Sequence, residues 1–100
     1  MNADVVRARV VVSGRVQGVF FRAETREMAR GLDIAGWAAN RIDGTVEIVL
    51  EGNEKFVRQA IEWCGRGPAT ARVDNVDIRW EAPEGERGFK ILATGDERFT

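Results

Sequence analysis

The sequence predicts an α+β sandwich of the ferredoxin-like, split β-α-β kind, with a four- to five-stranded antiparallel sheet and two helices on one face. Several segments alternate apolar and polar residues with a period of two, and two others carry apolar stripes at helical spacing. Their order along the chain is β-α-β-β-α-β followed by a short extra strand, the order of that fold.

In the first segment Val6, Ala8, Val10 and Val12 alternate with Arg7, Arg9 and Val11, which reads as a strand with one face buried. Ser13-Gly14 breaks the alternation and a glycine-containing loop follows. Phe21, Thr25, Met28, Ala29 and Leu32 then form one helical stripe, with Glu24, Arg26, Glu27 and Arg30 on other faces and Gly31 as the stop. A second strand spans 34–40, and Asp43-Gly44 is a hairpin signal. The third strand sets Val46, Ile48 and Leu50 on one face and Glu47, Val49 and Glu51 on the other. Asn53 is suited to cap a second helix, whose buried stripe is expected to be Phe56, Val57, Ala60, Ile61 and Cys64, ended by Gly65, Gly67 and Pro68. Val76, Ile78 and Trp80 alternate as a fourth strand, 82–88 is a charged turn-rich connection, and Phe89 and Ile91 suggest a short last strand. With both helices on one face, the other sheet face is expected to be partly exposed, which would account for its charged residues.

The 100 residues fit one domain, 1–100, and a chain of this size buries roughly two-thirds of its unfolded surface, enough for one modest core. Hydrophobic residues make up 44% and charged residues 31%, ordinary for a globular domain. A net charge of −1 supplies no bulk field for nucleic acid or an anionic membrane, and no partner of either kind is expected. Cys64 is the single cysteine, which excludes an intramolecular disulfide and favours a reducing compartment. No segment has the length of a membrane helix, and the N-terminus does not read as a signal peptide, so a cytoplasmic location is expected. The absence of histidine excludes Ser-His-Asp and Cys-His catalysis and removes the commonest metal ligand, so neither a metal nor another cofactor is expected.

Two segments remain as carriers of chemistry. Gly14-Arg15-Val16-Gln17-Gly18-Val19-Phe20-Phe21-Arg22 links a strand to a helix start. Unpaired N–H groups and the helix dipole make such a junction an anion site, glycines let the loop curl around the anion, and Arg22 can bond two phosphate oxygens at once. The competing reading is a surface loop with a solvated arginine. In Gly36-Trp37-Ala38-Ala39-Asn40-Arg41-Ile42-Asp43-Gly44-Thr45-Val46, Asn40 ends a strand, and its amide either fixes a water or simply closes the turn.

Taken together the two segments resemble the paired signatures of the acylphosphatase family. Gly-x-Val-Gln-Gly-Val-x-Phe-Arg is met by Gly14, Val16, Gln17, Gly18, Val19, Phe21 and Arg22. Gly-Trp-x-x-Asn-x-x-Asp-Gly-x-Val is met by Gly36, Trp37, Asn40, Asp43, Gly44 and Val46. The resemblance runs from about Val6 to Ile91 and includes Gly67-Pro68, Ala71, Val73 and Phe89-x-Ile91. Ala38 stands where the family often has Val, and the tail 95–100 extends past the last expected strand.

The resemblance implies metal-free hydrolysis of the carboxyl–phosphate bond of small acyl phosphates, with inorganic phosphate as product or site ligand; a monomer is expected. It makes Arg22 and Asn40 catalytic, Arg22 on the phosphate and Asn40 on the attacking water. Gln17, Gly18, Val19, Phe20 and Phe21 join Arg22 in the phosphate cradle. A carboxylate leaves without being protonated, so no general acid is required.

The remaining side chains have plainer readings. Trp37, Trp63 and Trp80 are expected to pack, and Cys64 to be a small buried hydrophobe. Arg7, Arg9 and Arg79 are expected opposite Glu47 and Glu51, as surface charge partners worth little each. Arg15 either steers substrate or is merely solvated.

Two rival functions follow from the same pattern. An RNA-recognition domain shares the element order, but it needs stacking aromatics where the third strand carries Glu47 and Glu51. A non-catalytic acyl- or carbamoyl-phosphate-binding domain of the same family would keep both motifs without turnover.

Overall fold

The computed structural model describes residues 4–93; the tail 95–100 lies outside them. The elements are β1 (Val5–Arg15), α1 (Phe21–Gly31), β2 (Ala35–Asn40), β3 (Val46–Asn53), α2 (Glu54–Arg66), β4 (Arg72–Glu81) and β5 (Phe89–Leu92). They form one five-stranded sheet of order β4-β1-β3-β2-β5, which is the expected ferredoxin-like arrangement. The first four strands pair antiparallel, but β5 joins β2 in parallel, so the sheet is mixed. The reason is the 82–88 connection, which crosses from one edge of the sheet to the other before the chain re-enters it.

Alternation on the central strands places Ala8, Val10 and Val12 of β1, Ala38 of β2 and Val46, Ile48 and Leu50 of β3 on the helix-covered face. There they meet Phe21 and Ala29 of α1 and Val57, Ala60 and Cys64 of α2. The α2 stripe is narrower than its pattern suggests, because Phe56 is exposed rather than buried. Asn53 caps α2 as expected, its Oδ1 accepting from the Lys55 N–H at 2.9 Å. Gly31 is the last residue of α1, and the left-handed turn falls two residues later, at Asp33. On α2 that conformation falls on Gly67, directly after the helix.

The opposite sheet face departs from expectation. Trp37, Ala39 and Val49 form a second small apolar cluster there, with Leu92 packed against it. Arg7, Glu47 and Glu51 are buried, and are not the surface partners their spacing suggested. The cause is again the 82–88 connection, whose N–H groups at Glu84, Gly85 and Glu86 all donate to the Glu51 carboxylate. Arg7 bonds Glu51, Glu81 and Glu86, and Arg9 bonds Glu47 and Glu81. Burial opposes the Glu51 charge, yet the loop N–H groups and Arg7 outweigh it and hold the carboxyl below its ordinary range. Among the described residues, no helix is long and apolar enough to cross a membrane.

Candidate active site

The loop between β1 and α1 is shaped by left-handed residues, Gly18 at φ 74° and Phe20 at φ 65°. Such residues turn successive N–H groups toward a common point, the geometry of an anion-binding nest. Phe20 occupies the N-cap of α1 and supplies no side-chain cap, so the first N–H groups of the helix are left to whatever binds in front of them. Three contacts fix the loop. Val16 and Val19 are buried in the main core. The Thr70 hydroxyl donates to the Val19 carbonyl at 2.7 Å. Phe21 packs edge-on against Trp63, ring centroids 5.7 Å apart.

Gln17 adds a tie that its place in the motif did not reveal. Its Nε2 donates to the carbonyls of Arg41 and Thr45, both at 2.8 Å. The side chain therefore binds the β2–β3 hairpin, and only the Gln17 backbone remains for an anion. The hairpin is itself rigid. Asp43 Oδ1 accepts from the Thr45 N–H at 3.0 Å and from its hydroxyl at 2.6 Å, and Gly44 takes the left-handed turn position at φ 92°. Those Thr45 bonds hold the Asp43 carboxyl below its ordinary range. Asn40, last residue of β2, thus stands at a fixed height beside the cradle.

Between these parts lies a cleft of about 310 Å³. Arg22 and Asn40 both line it, as do Gly18, Phe20 and Phe21 of the loop, and Val16, Ala23 and Ile91 complete the wall. Arg22 is half-buried, and its Nη1 donates to the Leu92 carbonyl at 3.0 Å. That bond takes one of the five N–H donors of a guanidinium and anchors the fork at the mouth of the cleft. Leu92, 70 positions after Arg22, acts through its backbone carbonyl and leaves no side-chain signature in the sequence. Arg15, at the end of β1, is exposed and does not line the cleft.

The arrangement suits a tetrahedral oxyanion. Residues of the loop, of the helix start, the Arg22 guanidinium and the Asn40 amide, with its donor and acceptor groups, all border the one cleft. No cluster of three or more His, Cys, Asp or Glu residues that could hold a metal ion exists among the described residues. Cys64 is fully buried on α2, away from the cleft lining, and burial pushes its thiol up to about 12.

Comparison with known proteins identifies the family. The family model Acylphosphatase matches residues 8–91. An acylphosphatase of Roseiflexus sp. strain RS-1 is 52% identical over 90 residues, covering 89% of this chain and 97% of the relative. The structure of an acylphosphatase from Coxiella burnetii superposes with a TM-score of 0.86 at 36% identity, covering 89% of this chain and 94% of that one. The acylphosphatase from Bacillus subtilis gives 0.84 at 35% identity, covering 87% and 98%.

Proposed function

The chain belongs to the acylphosphatase family and is an acylphosphatase, a hydrolase of acyl phosphates, and from that premise we propose that Arg22 and the loop amides of residues 17–21 bind the phosphoryl group while Asn40 positions the water. The observation that carries this reading is the single cleft lined by Arg22, Asn40 and the left-handed loop at the start of α1. Water attacks phosphorus, the bond from phosphorus to the acyl oxygen breaks, and the products are a carboxylate and inorganic phosphate. The transition state is loose and its charge lies on the phosphoryl oxygens, so a guanidinium and fixed N–H dipoles stabilise it directly. The Asn40 amide cannot accept a proton at neutral pH, so it orients the water, and a phosphoryl oxygen takes the proton.

The reaction needs no metal in this scheme, because the carboxylate leaves unprotonated and Arg22 supplies the positive charge. One chain, as a single domain over residues 1–100, supplies every group named, which supports a monomer. A lone buried thiol fits a cytoplasmic setting.

The test is hydrolysis of benzoyl phosphate in the presence of a chelator, with Arg22→Gln and Asn40→Ala beside the parent. Asn40→Ala should lose at least ~10²-fold in kcat while inorganic phosphate still inhibits; Arg22→Gln should lose turnover and phosphate inhibition together. Near-normal turnover in Asn40→Ala would remove Asn40 from the mechanism. An absolute metal requirement would overturn the scheme.

A further inference from the structure

Phe20 breaks several local preferences at once. It is 73% exposed. It holds φ 65°, a conformation in which a bulky side chain is an outlier. It also occupies the N-cap of α1, where Ser, Thr, Asp or Asn would satisfy helix N–H groups and Phe satisfies none. The backbone turn alone does not call for an aromatic residue, since glycine serves the same conformation two positions earlier, at Gly18. The reason for Phe at this position therefore lies in its ring.

Phe20 lines the same cleft as Arg22 and Asn40, together with Val16, Ala23 and Ile91. An acyl phosphate places its variable group three bonds from phosphorus. With the phosphoryl group held at Arg22, the variable group is within reach of the cleft wall. Arg22 is the only charged side chain among the described residues of that lining, so nothing there compensates a charged or strongly polar acyl group.

We infer that the Phe20 ring is the acyl-group platform of this enzyme, and that the cleft selects small aromatic or branched apolar acyl phosphates over acetyl or carbamoyl phosphate. The inference rests on the assignment of Arg22 and Asn40 to phosphate and water. The cleft volume of about 310 Å³ lies at the small end of ligand sites, which suits a single ring or a short branched chain beside the phosphate. The ring's exposure in the free enzyme then has a use: substrate removes it from water, and the gain is realised on binding.

The test compares kcat/KM for benzoyl phosphate and acetyl phosphate in the parent, Phe20→Leu and Phe20→Asn, each with a thermal melt. Asparagine accepts the left-handed conformation, so the loop retains its turn. The benzoyl-to-acetyl ratio should fall about fivefold to tenfold in Phe20→Asn, chiefly through KM for benzoyl phosphate, and by less in Phe20→Leu. An unchanged ratio in both variants overturns the platform. Equal losses on both substrates in a variant that still melts normally also overturn it, by assigning the residue to the phosphate cradle. A parent that hydrolyses neither substrate overturns instead the phosphate-and-water assignment, and the platform with it.

Discussion

Arg7 Nη1 and Glu51 Oε1 meet at 3.0 Å with side chains only 2% and 5% exposed, on the sheet face that carries no helix. Both charges are sealed beneath the 82–88 connection, so removing either takes a bonded, oppositely charged partner from the other. Breaking such a pair from one side costs about 3–5 kcal/mol. Arg7→Met is expected to lower unfolding free energy by that order in urea titration, with the family reaction retained below the transition. A loss under about 1 kcal/mol would show that the N–H groups of Glu84, Gly85 and Glu86 hold the Glu51 charge without Arg7.

Acid should weaken the same face. Glu51 and Glu81 are held below the ordinary glutamate value of 4.5, Glu81 chiefly by the hydrogen bond from Arg9. A lowered carboxyl contributes stability that is full above the unfolded value and is lost as pH falls through the folded one. The midpoint of thermal unfolding should therefore be flat from neutrality down to near that value and drop below it. Glu51→Gln should flatten that drop while lowering the midpoint at neutral pH.

Turnover, by contrast, should lack a titration belonging to the enzyme. The chain has no histidine, and neither an amide nor a guanidinium titrates between about pH 6 and 9. A profile of kcat over that interval should be level. A bell with two limbs would point to an acid or base outside Arg22 and Asn40.

Gln17 offers a test of positioning without contact to the water. Its amide fastens the cradle loop to the Arg41 and Thr45 carbonyls. Gln17→Leu keeps the backbone N–H but releases the hairpin, and a shift of the order of 1 Å at a reacting centre costs up to ~10²-fold. We expect kcat to fall about tenfold or more, with inhibition by inorganic phosphate changed far less. Weakened phosphate inhibition with kcat unchanged would place the side chain's effect on phosphate binding alone.

Gly67 is a packing test. A Cβ at this position would lie 2.6 Å from Phe21 Cε2, at φ 69°. Phe21 opens α1 and lines the cleft, so Gly67→Ala strains the backbone and displaces the ring that seats the cradle. A stability loss of about 1–3 kcal/mol is expected by denaturant titration, with reduced turnover.

Much of this was legible in the residues themselves. Alternation at Val6, Ala8, Val10 and Val12 fixed which face of β1 is core, and Asn53 marked the start of α2 through its own cap. Gly18 and Asp43-Gly44 marked the two turns that build the cleft, because a left-handed backbone leaves a compositional trace. What the sequence did not disclose depends on distant backbone. Nothing in Ala82 to Gly88 as a string says that its amides will close over Glu51, so Arg7 and Glu51 read as surface charges until that segment is in place. The same holds for Leu92, whose carbonyl anchors Arg22, and for the parallel seat of β5, which follows from where the preceding connection lands. Phe56 and Trp80 had apolar character but stay partly exposed, Trp80 beneath the Arg58 guanidinium of α2 rather than in the core.

β4 lies at one end of the strand order, beside β1. An outermost strand of this length is a template for a second chain to add to. Yet Arg72, Asp74, Asp77, Arg79 and Glu81 scatter both signs of charge along it, around the half-exposed Ile78 and Trp80. An incoming strand would have to match that sequence of charges residue by residue to seat, so the rim screens out indiscriminate aggregation while the rest of the sheet stays apolar enough to hold the domain together.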